Sequence, residues 1–341
     1  MALSGDNHET ESLPSAASTV VWVSETTVVN PPTPAASQSK VVLSTTSVYP
    51  DGVKAGFEVG AALGFDGIEL MVGIDPVAAD IDAVERLRDT HGLPVTSVHA
   101  PCLLVTQKTW GRDPWTKLER SGEAAARLGA STVVVHPPFR WQKAYGSGFV
   151  RGIERLNHEF PTVTFAVENM YLWRSFARPF RAYLPDFDPT ELPYDHLVLD
   201  CSHASTAQQQ SRDLARLWGN RLHHLHLTDG AGSIKDDHLF PGEGDQESLE
   251  LLTDLRERGF SGDVVLEVNS RRSGGRAGRE ARLGDSLIAV RERLGQPVSA
   301  TTAEETRHAH EEELTAPHDL VEGDLPFTDG PHFDLGRHVK D

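Results

Sequence analysis

Short β-branched runs recur along the chain at regular spacing, and amphipathic stretches separate them. Eight such runs stand at 41–45, 67–72, 95–99, 132–136, 163–168, 196–200, 223–227 and 264–268, and most are largely apolar before their last residues. Strands covered on both faces read this way. Between them, the stretches 53–63, 77–90, 114–128, 148–160, 175–183, 206–218, 247–258 and 281–294 carry apolar residues at three- and four-residue steps, the helical period. Gly64, Gly92, Gly129, Gly219 and Gly259 stand where the residue after a helix belongs. Eight strands alternating with eight helices imply parallel βαβ units. A doubly wound open sheet competes with a closed barrel. Eight repeats and the lack of a glycine-rich phosphate loop favour the barrel, so the expected fold is α/β, a single (β/α)8 TIM barrel.

Composition sets the limits of that unit. Of 341 residues 38% are hydrophobic, but residues 1–39 are rich in Ser, Thr, Pro and Ala, and 298–341 in Glu, Asp and His. Such segments bury too little apolar area to offset the entropy of ordering, so both are expected to be disordered tails. The barrel is then assigned to 40–297, close to the roughly 250 residues typical of this architecture. The formal net charge is −18, yet residues 41–296 hold 28 basic and 35 acidic residues, a net of −7. No net basic field attracts a phosphate backbone, which disfavours a nucleic-acid partner. Arg271, Arg272, Arg276, Arg279 and Arg282 cluster after the last strand and read as a solvated loop and helix face. Cys102 and Cys201 form no CxxC pair. No apolar run reaches the ~18 residues of a membrane helix, and the amino terminus lacks a signal-peptide pattern. A cytoplasmic protein is the expectation, with homo-oligomerisation left open.

The polar residues interrupt this pattern at one kind of place. Strand after strand carries a metal-ligand type at or near its end: Glu69, His99, His136, Glu168, Asp200 with His203 three residues on, His226, and Glu267; the loop after the seventh strand adds Asp236 and His238. A closed barrel brings all eight carboxyl-terminal strand ends to one mouth. Imidazoles and carboxylates gathered there are poorly tolerated unless cations offset them. The mixed set suits Zn²⁺ or Mn²⁺ better than Mg²⁺ or Ca²⁺. His223 and His224, beside His226, are read as structural because alternation points only some strand residues inward. Trp110, Trp115, Trp141 and Trp173 are candidates to wall the mouth or to pack beneath loops.

These residues, over roughly 41–295, resemble the xylose isomerase-like barrel superfamily, which includes sugar isomerases and epimerases and the endonuclease IV repair enzymes. The four-donor core of the epimerases falls on Glu168, Asp200, His226 and Glu267. The longer set of the endonuclease IV type is matched by Asp200/His203 in Asp-x-x-His, by Asp236/His238 before Gly242-Glu243-Gly244, and by His99 and His136. The sequence departs from the repair enzymes outside the donors. Pro137-Pro138 follows His136 where they have Pro-Gly, Met170 follows Asn169 where they have Thr, and no tyrosine follows His99 in Ala-Pro-Cys-Leu-Leu.

The resemblance implies a divalent-metal cofactor, one to three ions, held by those nine residues. It implies a carbohydrate substrate that is isomerised or epimerised through an enediolate. Glu168 and Glu267 are then the acid–base pair, His203 orients a hydroxyl, and Glu69, Asn169 and Trp110 contact substrate. The alternative implied is phosphodiester hydrolysis at abasic DNA by a three-ion centre.

Overall fold

A computed structural model describes residues 35–298 apart from 74, 103–105, 107, 176–177 and 234; the expected tails lie almost wholly outside these residues. The barrel strands are β1 (Val41–Ser44), β2 (Gly67–Met71), β3 (Val95–His99), β4 (Thr132–Val135), β5 (Thr164–Glu168), β8 (Leu197–Asp200), β9 (Leu222–Leu227) and β10 (Val264–Leu266). They close in the order β1-β10-β9-β8-β5-β4-β3-β2, and every pairing is parallel. The open-sheet alternative is thereby excluded. The short strands are buried almost throughout, as their apolar runs require.

Helices cover the outside: α1 (Val53–Leu63), α2 (Pro76–Ala79), α3 (Ile81–His91), α4 (Pro114–Leu128), α5 (Lys143–Glu159), α6 (Cys201–Thr206), α7 (Ser211–Trp218), α8 (Ser248–Glu257) and α9 (Gly275–Leu294). Asp80 splits the helix expected at 77–90. It ends α2, and its carboxylate accepts from Ala83 N to start α3. The main core lies between strands and helices, with Phe57, Phe149 and Phe165 fully buried. Gly152 lets α5 approach α4, because a Cβ there would run into the Trp115 ring.

One expected helix is absent among the described residues of 175–183. They contribute instead to an antiparallel pair of strands, β6 (Trp173–Ser175) with β7 (Arg178–Phe180). Proline explains the correction: Pro179 cannot donate within a helix and pushes Arg178 toward extended backbone. Met170, Ala182 and Tyr183 of this excursion between β5 and β8 form a small apolar cluster with Phe139 from the loop after β4. No described helix is long and apolar enough to cross a membrane.

Candidate metal centre

Strand ends deliver the donors. His99, Glu168 and Asp200 are the last residues of their strands, while His136 and Glu267 each follow one directly. Asp200 and His226 are register partners on β8 and β9, so they reach the mouth side by side. Asp236 and His238 come from the loop after β9. Asp229 organises that loop: its carboxylate accepts from Gly230 N, Gly242 N, Gln246 N and Ser248 Oγ. His238 has φ +46°, an uncommon backbone for a residue with a side chain, and such strain concentrates at functional sites. Its N–H donates to Ser202 Oγ, and Nδ1 lies 2.8 Å from Glu267 O, which leaves Nε2 facing the cup.

The nine donors fall into three groups that share residues, and a fourth group of Glu69, His224 and His226 lies beside them. In the first, His99 Nε2 and His136 Nε2 lie 3.1 Å apart, with Glu168 Oε2 3.5 Å and 2.8 Å from them. The second surrounds His226 Nδ1: Glu168 Oε1 and Glu267 Oε2 are each 2.9 Å away, and Asp200 Oδ2 is 3.7 Å away. In the third, Asp236 Oδ2 lies 3.1 Å from His203 Nε2 and 3.0 Å from His238 Nε2, with Asp200 alongside. Glu168 belongs to the first and second groups, and Asp200 to the second and third.

A cation fits this cup. Asp200 Oδ2 is buried without a hydrogen-bond partner, a costly state that a bound ion relieves. The protons tell the same story. Burial works to raise Glu168, but His226 and His136 outweigh it and hold the carboxyl well below its ordinary range. Burial works to lower His203, but Asp200 and Asp236 beside it raise the imidazole to about 10. His226 is raised well above the usual value against its burial, by Glu69, Glu267 and Glu168. The carboxylates thus attract positive charge, which protons supply when ions do not. Thiolate ligation has no support, since burial pushes Cys102 up to about 11 and Cys201 up to about 12.

All nine expected donors meet at the mouth, whereas Glu69, Asn169 and Trp110, expected to contact substrate, are placed away from it. Glu69 is fully buried inside the barrel, where it accepts from Ser97 Oγ at 2.8 Å and faces His224 Nε2 at 3.0 Å and His226 Nε2 at 3.1 Å. It braces His226 from below. Asn169 is also buried: Oδ1 accepts from Asp200 N and Nδ2 donates to Asp200 O, so it fixes the end of β8. Trp110 donates to Ala79 O and lines a groove with Ile81, Arg120 and Arg127 against α3 and α4, outside the cup. His203, expected to orient a hydroxyl, has Nδ1 2.8 Å from Asn169 O and Nε2 3.1 Å from Asp236 Oδ2.

Other residues were not legible as site components. Ser202 Oγ donates to Asp236 Oδ1 at 2.7 Å, and Ser202 N donates to Thr228 Oγ1 at 2.7 Å, which ties α6 to both loops. The Asp-x-x-His spacing was the available signal that something between those ligands faces inward. Beside the third group stands an aromatic wall. Tyr171 lies 5.1 Å from the His203 ring and stacks toward Trp173, while Trp141 is half exposed and stacks on Phe139 at 4.7 Å. Trp115 packs instead against Tyr145 and Phe149 between α4 and α5. His224 supports Glu69, and His223 meets Thr132 toward the opposite end of the barrel, as the structural reading of both requires.

A closed parallel barrel with carboxylates and imidazoles at its carboxyl-terminal mouth defines a class of barrel proteins, most of whose members are enzymes. Residues 57–293 match the family described as xylose isomerase-like TIM barrel, and the chain belongs to it. An uncharacterised protein of Mycobacterium tuberculosis, Rv0498, is 44% identical over 274 residues, covering 75% of this chain and 98% of that protein. Fructoselysine 3-epimerase of Escherichia coli O157:H7 is 40% identical over 50 residues, 15% of this chain and 18% of that enzyme. The crystal structure of an AP endonuclease, family 2, from Brucella melitensis superposes with a TM-score of 0.53 at 17% identity, covering 68% of this chain and 94% of that one.

Proposed function

We propose that the chain is a divalent-metal-dependent isomerase or epimerase of a sugar or sugar phosphate. The observation that carries this reading is the placement of Glu168 and Glu267. They arrive from β5 and from just after β10, which flank β8 and β9 in the barrel order, and both reach the same atom, His226 Nδ1. The segment shared with an epimerase supports it. Glu168, Asp200, His226 and Glu267 would hold the ion, and a bound divalent cation supplies charge stabilisation for adjacent substrate oxygens. One carboxylate takes a proton from the substrate carbon and the other returns one. Burial of both excludes bulk water from that exchange. The aromatic wall of Tyr171, Trp173 and Trp141 offers an apolar surface to a sugar ring.

The test is to incubate Mn²⁺-loaded protein with a panel of ketoses and sugar phosphates in D₂O. Deuterium at carbon, lost in Glu267→Gln, is the expected result; no incorporation across the panel overturns the reading.

A second reading rests on a different observation. The first and third donor groups exceed what a single ion needs, and their shared carboxylates suit a cluster of ions that cleaves a phosphoester. Three ions per chain, with nicking of an abasic-site duplex, would establish it.

A further inference from the structure

The third donor group is assembled from two segments of chain, and one hydroxyl joins them. Asp200 and His203 stand at the start of α6, where the Asp200 carboxylate accepts from His203 N at 2.8 Å. Asp236 and His238 belong to the loop after β9. Ser202, fully buried on α6, reaches both. Its Oγ donates to Asp236 Oδ1 at 2.7 Å and accepts from His238 N at 3.0 Å. These directions are forced, because an ionised carboxylate only accepts and a backbone N–H only donates. The single hydroxyl proton is thus committed to Oδ1. Oδ2 is left toward His203 Nε2 and His238 Nε2, at 3.1 Å and 3.0 Å. Ser205, one turn further along α6, holds the same loop away from the donors: its Oγ accepts from Gly232 N and donates to Asp245 Oδ1.

We propose that Ser202 is the positioning residue of the third donor group, and that its hydroxyl makes this group competent to hold an ion. The proposal rests on the reading of the cup as a metal centre, which both functional readings share, and not on which reaction follows. The path of the loop does not depend on Ser202. The Asp229 carboxylate gathers it, Asp229 and Leu239 exchange backbone hydrogen bonds, and Asn269 N donates to His238 O. What the hydroxyl adds is confined to the two ligands. A carboxylate on a loop can turn about its side-chain bonds, and a hydrogen bond to one oxygen fixes which oxygen faces the imidazoles. His238 carries the uncommon φ of +46°, and the bond from its N–H to Ser202 Oγ helps to hold that backbone with Nε2 toward Asp236. The intervening Asp237 turns away to Ser233. One oxygen atom therefore sets the spacing of two ligands that enter from the same loop. Hydrogen bonds that orient ligating side chains are worth about 10- to 100-fold in metal affinity.

The experiment reads metal without turnover, so it stands apart from whether an epimerase reaction is found. Zn²⁺ is competed stepwise against a chelating dye on the full chain, wild type against Ser202→Ala, Ser202→Cys, Ser205→Ala and His238→Ala. His238→Ala identifies the binding step that belongs to the third group. Ser202→Ala is expected to weaken that step about tenfold or more and every other step less than about twofold. Ser202→Cys, whose thiol donates and accepts weakly, should fall between wild type and Ser202→Ala. Ser205→Ala removes an anchor of the same loop from the same helix and should leave every step unchanged. Equal affinity of the third-group step in wild type and Ser202→Ala overturns the proposal. So does an equal loss in Ser205→Ala, which would make Ser202 one loop anchor among several, or a loss spread evenly over all steps, or a wild type with no step that His238→Ala removes. No Zn²⁺ binding at all would overturn the metal-centre reading together with it; the other outcomes remove only the role of Ser202. Thermal melting of the metal-free proteins checks each fold; should Ser202→Ala not fold, Ser202→Cys against Ser205→Ala decides.

Discussion

Glu69 Oε1 and His226 Nε2 face each other across 3.1 Å inside the barrel, directly beneath the point where His226 Nδ1 meets Glu168 and Glu267. A neutral imidazole carries one proton. With Nδ1 turned to the cup, that proton belongs on Nε2, toward Glu69. When Nδ1 ligates an ion, the Glu69 charge behind the ring favours that tautomer and raises the basicity of the ligating nitrogen. Glu69 in turn is positioned by Ser97 and His224.

Glu69→Gln is therefore expected to weaken divalent-metal affinity about 10- to 100-fold while leaving every proposed ligand in place. Competition of Mn²⁺ or Zn²⁺ against a chelating dye reads this directly. Unchanged affinity would mean that Glu69 is only a buried structural acid.

That relationship also shows what the sequence conceals. The strands were legible because both faces of each are covered, so Val41–Ser44 and Thr132–Val135 read as unbroken apolar runs. The donors were legible because a charged side chain that ends such a run is costly to bury without a cation or a counter-charge. Glu69 carries the same signal, yet its depth depends on strand register and barrel shear, which set it level with His224 instead of the cup. Asn169 likewise looked like a substrate contact because it follows Glu168; only the pairing of β5 with β8 turns its amide to the backbone of Asp200. The strand pair of β6 and β7 was missed because its apolar spacing imitates a helix, and one proline outweighs that period.

Metal binding should release protons. In the metal-free protein the imidazole of His203 is raised to about 10 by Asp200 and Asp236, against its burial. The folded value exceeds the unfolded one of roughly 6.5. Protonated His203 thus contributes stability that is fully present below about pH 6.5 and is lost as pH rises toward 10. An ion must displace that proton from Nε2, so metal affinity should climb with pH across the same window. Calorimetric titration at about pH 7.5 in buffers of different ionisation enthalpy is expected to show protons released per ion bound. Heats that do not depend on the buffer would contradict this.

The shared carboxylates predict unequal losses on substitution. Glu168 serves the first and second groups, whereas His238 serves the third. Glu168→Ala should remove metal from both groups it bridges, and His238→Ala should spare the four-donor core. Elemental analysis of metal per chain, after equilibration with excess Mn²⁺ and gel filtration, gives the comparison. A lower content in His238→Ala than in Glu168→Ala would refute the grouping.

The rings of Trp115, Tyr145 and Phe149 pack between α4 and α5, and Gly152 provides the space for Trp115. Gly152→Ala brings two opposing effects. Alanine favours the helical state by up to about 1 kcal/mol relative to glycine, but the added methyl collides with a rigid indole packed against the rings of Tyr145 and Phe149. Overpacking of this kind costs about 1–3 kcal/mol, so the net change should be destabilising. Denaturant unfolding of the metal-loaded variant should show a lowered midpoint at unchanged slope, while Gly148→Ala, whose Cβ would sit an ordinary 4.0 Å from the same ring, should be neutral or stabilising. If both substitutions shifted the midpoint equally, the close approach of α4 and α5 would not be what Gly152 is there to permit.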